Sequence, residues 1–163
     1  MRRVIVLGVV AASLATGSAR ADYDERVIGD WAASAKEDRF GDGGTYVAVT
    51  AEDTMALAVR CLQKQLSIAV IYLGDNPNEA SPGGVFKFKL RVDKQPVVET
   101  LGTAMSGRAI QLKTTSAMVS AMRDGKELGL RIESNRGVVT TKIFPIRGAR
   151  KAFADLSNEC PLE

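Results

Sequence analysis

Apolar and polar residues alternate with a period of two along most of the chain, and this pattern predicts a protein built mainly of β-strands. The central stretch is Met55 to Leu73, which reads as two adjoining strands turning at Gln63 and Lys64. That turn sets Cys61 opposite Leu66, Val59 opposite Ile68 and Leu57 opposite Val70, making one face wholly apolar. The other face, with Ala58, Arg60, Gln65, Ser67 and Ala69, is small and polar, as in a hairpin buried on one side. Val85 to Asp93 alternates most cleanly: Phe86, Phe88, Leu90 and Val92 point one way, and Lys87, Lys89 and Arg91 the other.

Further strands are predicted at 27–31, 45–50, 96–100, 108–113, 127–133 and 138–146. Trp31, the one tryptophan, reads as a core anchor, with a ligand-stacking surface as the alternative. Residues 38–44, 74–84 and 134–137 are turns or loops by their Asp, Asn, Pro and Gly content. Asp38 and Asp42 lack the regular ligand series and closing glutamate of a calcium loop. A helix is predicted over 115–123, capped by a Thr or Ser, striped by Met118, Val119 and Met122, and ended by Gly125 in the left-handed conformation. At the end of the chain Ala149, Ala152, Phe153, Leu156 and Cys160 fall on one face of a second helix. The fold class expected is mainly β (α+β): a twisted antiparallel β-sandwich with one internal helix and a C-terminal helix.

The first 21 residues break this pattern. Arg2 and Arg3 precede an apolar run from Val4 to Leu14, and Ala19-Arg20-Ala21 offers the small residues that signal peptidase reads. A cleaved signal peptide over 1–21 is expected, with residues 22–163 as one periplasmic domain; the apolar run is too short to span a bilayer. The leader holds three arginines and no acid, so 19 basic and 19 acidic residues remain. Net charge then gives no support for a nucleic acid or an anionic membrane as partner.

Cysteine and histidine usage changes the chemistry that can be expected. The chain has no histidine and two cysteines. Ser-His and Cys-His nucleophiles and most zinc or copper sites are thereby excluded. In an exported chain the pair Cys61 and Cys160, each placed toward the core by its own element, reads as a disulfide closing the C-terminal helix onto the central hairpin. There is no S-x-x-K and no glycine-rich phosphate loop, and carboxylate pairs such as Asp93 with Glu99 have no spacing that brings them together. No catalytic residue, metal ligand or cofactor site is expected. Lys87, Lys89 and Arg91 form a three-cation stripe that is either a solvated outer face or a surface turned to a partner; Asp93 at its end and Arg60 on the hairpin are further candidates for partner-facing residues.

Taken in order, Trp31 with Asp38 and Asp42, Arg60-Cys61 ending a strand, Arg91-Val92-Asp93, Phe144 to Gly148 before a helix, and the last cysteine resemble the VasI-like family of periplasmic proteins associated with type VI secretion. The resemblance covers nearly all of the chain after the leader. It implies a non-enzymatic accessory protein of the envelope; the partner expected is another envelope protein, with no stable membrane insertion once the leader is cleaved. The alternative for a small disulfide-stapled β protein is an inhibitor of a lysozyme-type cell-wall hydrolase.

Overall fold

A computed structural model describes residues 24–37, 43–75 and 80–162. The expected leader, Asp38 and Asp42, and residues 76–79 of the long loop lie outside them. Strands β1 (Asp24–Ile28), β2 (Trp31–Lys36), β3 (Thr45–Glu52), β4 (Met55–Leu62) and β5 (Gln65–Tyr72) follow one another as antiparallel neighbours. After the loop come β6 (Val85–Val92), β7 (Val98–Ala104) and β8 (Ala109–Leu112), then helix α1 (Ser116–Asp124), the hairpin β9 (Glu127–Glu133) and β10 (Val139–Pro145), and helices α2 (Ala149–Ala152) and α3 (Ala154–Glu159).

All ten strands join in one sheet, ordered β1-β2-β3-β4-β5-β8-β7-β6-β9-β10. The two expected layers are therefore two halves of one coiled sheet, enclosing a common core that includes Trp31, Leu57, Val70, Phe88, Leu130 and Phe144. The far ends of the sheet meet. Asp30 N donates to Arg147 O at 2.9 Å, Trp31 Nε1 to Ile146 O at 3.1 Å, and Thr50 Oγ1 to Pro145 O at 2.7 Å.

The central hairpin has the expected register, with Cys61 opposite Leu66, Val59 opposite Ile68 and Leu57 opposite Val70. Gln63 and Lys64 both have positive φ, 49° and 63°, as a two-residue turn matched to the twist of the strands requires. The hairpin is not half-buried, however: Ala58, Ser67 and Ala69 on its second face are also shut off from solvent. Ala58 lies between Val49 and Ala69 on the adjoining strands, so these small side chains sit recessed among their neighbours.

Four other expectations change. The strand expected over 27–31 is a hairpin instead, because Gly29 at φ 61° reverses the chain with Asp30; Val27 is exposed and Trp31 buried. Gly125 is extended, at φ −86° and ψ 172°, rather than left-handed. It is needed for space: a Cβ there would lie 2.3 Å from Val92 Cγ1. The strand expected over 96–100 begins at Val98 and runs on through Gly102, where a Cβ would fall 2.5 Å from the ring of Phe88. The C-terminal helix is broken at Phe153, at φ −92° and ψ 3°, so that α2 and α3 bend around Trp31. Its predicted face holds nonetheless: Ala149, Ala152, Phe153, Leu156 and Cys160 are all buried. Cys61 and Cys160 form a disulfide, with Cα atoms 6.0 Å apart across a separation of 99 residues.

Candidate partner-binding face

The alternation of β6 turns Phe86, Phe88, Leu90 and Val92 into the core and leaves Lys87, Lys89 and Arg91 exposed. β6 is an interior strand between β7 and β9, so its cations do not guard an edge. Register decides what stands beside them. One row across the outer face runs Leu101, Lys87, Glu133, Val139; the next runs Glu99, Lys89, Arg131, Thr141; a third runs Arg91, Gly129, Ile143.

Charges on this face are partly matched. Lys89 Nζ lies 2.7 Å from Glu99 Oε1, and this hydrogen bond, reinforced by the charge of Lys89, holds the Glu99 carboxyl below the usual glutamate range. Lys87 Nζ reaches Glu133 at 3.7 Å. Arg91 and Arg131 have no carboxylate within ion-pairing distance among the described residues; Arg131 donates from Nε to Thr141 Oγ1 at 3.4 Å. Opposite Arg91 stands Gly129, which offers no side chain to screen the guanidinium. Around these charges Leu101, Val139 and Ile143 are each more than half exposed. A hollow of about 450 Å³ opens among Lys87, Lys89, Glu99, Leu101, Arg131 and Glu133.

Two of the residues expected to face a partner lie elsewhere. Asp93, at φ 48°, turns its carboxylate onto the backbone N–H groups of Lys126 and Glu127, at 3.2 and 3.1 Å, and so ties the end of β6 to the start of β9. Arg60 is on β4, separated from β6 by β5, β8 and β7. Its Nη2 donates to Gln111 Oε1 at 3.2 Å, and partial burial lowers its pKa. Conversely, Arg131, Glu133, Leu101 and Val139 join the face through cross-strand pairing, which no single strand of sequence displays. The hint available in sequence was the outward phase of Arg131 and Glu133 in Glu127–Glu133.

This coiled sheet, with a short helical segment stapled to its first half, has a known counterpart. The chain is similar in fold to invasion associated protein B from Bartonella henselae. The likeness extends over 82% of this chain and 96% of that one, at 16% sequence identity and a TM-score of 0.55. No protein-family model matches the sequence, and no curated protein matches it. No helix among the described residues is long and apolar enough to cross a membrane.

Proposed function

We propose that this protein is a non-enzymatic accessory protein of the periplasm that binds an acidic surface of another envelope protein through the outer face of β7, β6, β9 and β10. The observation that carries the reading is the pair Arg91 and Arg131, which stand between exposed apolar side chains with no carboxylate in ion-pairing distance among the described residues. Such a surface has the composition of a binding site, arginine at the centre with apolar contact area around it. The Cys61–Cys160 disulfide supports an oxidising compartment, in keeping with the leader expected over residues 1–21.

The resemblance to VasI-like proteins favours a partner within a type VI secretion apparatus, and the structural neighbour is named for association with invasion. Neither name identifies the partner. Affinity capture from periplasm with the oxidised protein, followed by mass spectrometry, tests the reading. An envelope protein with an acidic patch is expected; recovery of a lysozyme-type hydrolase would replace the proposal with the inhibitor alternative, and recovery of no specific protein would contradict both.

A further inference from the structure

α1 stands at the end of the sheet where the inward positions of β6 and β9 run out, with Val92 opposite Leu128. The C-terminal end of the helix is held close: a Cβ on Gly125 would lie 2.3 Å from Val92 Cγ1 and 3.0 Å from Ile146 Cδ1. Its N-terminal half is packed less closely. There Ala117 and Ala121, one turn apart, leave space that longer side chains would fill, and a hollow of about 300 Å³ opens between the helix and the connection from β6 to β7. Leu90, Val92, Met118, Met122 and Leu128 form its buried floor. Gln95, Pro96, Thr115 and Ala117 at the mouth are exposed, so the hollow is open to solvent.

The lining selects what fits. None of its residues is charged and none is aromatic. Leu, Val and Met side chains offer aliphatic contact, and Met adapts its shape most readily, so the floor suits a flexible chain of methylene groups. At ~30 Å³ for each small group, the share of one water in the liquid, the volume holds about ten of them. Polar groups come from the mouth alone. Thr115 Oγ1 accepts from Met118 N at 3.3 Å and keeps its own O–H to donate, and the Gln95 amide adds further donors. No acid stands in the first turn of α1, whose start favours negative charge.

From this geometry we infer that the hollow binds a single-chain aliphatic carboxylate of about ten carbons, its chain laid on Met118 and Met122 and its carboxylate accepting hydrogen bonds from Thr115 and Gln95. The volume leaves no room for the two chains of a membrane lipid. β6 turns Leu90 and Val92 away from the face that carries Arg91, so what that face binds has no bearing on this site.

NMR of the oxidised protein labelled at its methionine methyl groups tests the site, with hexanoate, octanoate, decanoate and dodecanoate as probes below their micelle concentrations. The Met118 and Met122 signals should shift saturably, while those of Met55, buried on β4, and of exposed Met105 stay in place. Affinity should rise about fourfold with each methylene added up to decanoate, then level off as the hollow fills. Decanol should bind roughly tenfold more weakly than decanoate, because a charged acceptor makes the stronger hydrogen bonds. Ala121→Leu, which fills the hollow, should abolish decanoate binding, with a melting temperature showing that the variant is folded. Ala117→Phe, at the exposed mouth, should do the same without altering the packed side of the helix. No saturable shift at Met118 and Met122, equal shifts at Met55 and Met105, or undiminished binding by both variants would overturn the inference. Equal affinity for decanol would overturn the placing of a carboxylate at Thr115 and Gln95.

Discussion

Trp31 and Phe153 meet edge to face, with ring centroids 4.9 Å apart and planes at 74°. Both are fully buried, and Phe153 is also the residue at which the C-terminal helix breaks. The contact thus anchors α2 and α3 from their middle, and Trp31 is held in turn by its bond to Ile146 O. Phe153→Ala should destabilise the protein by about 3–5 kcal/mol, the range for removing a buried aromatic ring. Urea denaturation followed by tryptophan fluorescence measures this; a loss below about 1 kcal/mol would mean that the helices do not depend on the contact.

The disulfide provides the second anchor of that segment. In the chain-entropy account, closing a loop of this length stabilises by about 4–5 kcal/mol, and measured gains are often smaller. Thiol titration of the unfolded, unreduced protein should find no free thiol, and reduction should lower the melting temperature markedly. Hydrogen exchange in the reduced protein should rise first in residues 149–160, where Phe153 and Leu156 are the main remaining anchors. Exchange rising equally across the sheet would show instead that the staple supports the whole fold.

The turn of the central hairpin can be improved. Gln63 and Lys64 occupy the left-handed region, which Asn and Gly occupy at less cost. Replacing the pair with Asn-Gly should raise stability by about 0.5–1 kcal/mol, read as a higher urea midpoint at unchanged slope. A lower midpoint would show that these side chains make contacts worth more than the strain they bear.

How much of this architecture was legible in the sequence depended on how local its cause was. The hairpin at Gln63–Lys64, the inward phase of β6 and the buried face that ends in Cys160 follow from alternation and helical spacing within one element. Val27, Gly29 and Trp31 satisfy a single strand as readily as a hairpin; the positive φ of Gly29 and its close approach to Arg147 O, which a Cβ would meet at 2.3 Å, depend on a segment far along the chain. Gly125 reads as a helix terminator in sequence, whereas its actual constraint comes from Val92, 33 positions earlier. For the candidate face, the sequence displayed Lys87, Lys89 and Arg91 but not the register with β7 and β9 that neutralises two of them. Asp93 adjoins that stripe in sequence and Arg60 shares its charge, yet Asp93 turns to the backbone of Lys126 and Glu127, and Arg60 stands on β4 with three strands between it and β6.

Electrostatics on the face can be checked by titration. Since Lys89 holds the Glu99 pKa down, the stability this pair contributes is present above the ordinary glutamate pKa and is lost as pH falls through the depressed one. NMR titration should place the Glu99 carboxyl below the usual range in the wild type and return it toward that range in Lys89→Gln. An unchanged Glu99 titration in the variant would show that the 2.7 Å contact is not maintained in solution.

The central claim is that Arg91 and Arg131 engage an acidic partner, and the most direct test is the affinity of the captured envelope protein for wild type and for the Arg91→Glu/Arg131→Glu variant. Titration calorimetry at low and at physiological salt gives the comparison, with melting temperatures showing that the variant is folded. The account predicts at least tenfold weaker binding by the variant and wild-type binding that weakens as salt is added. Equal affinity of the two proteins would contradict it.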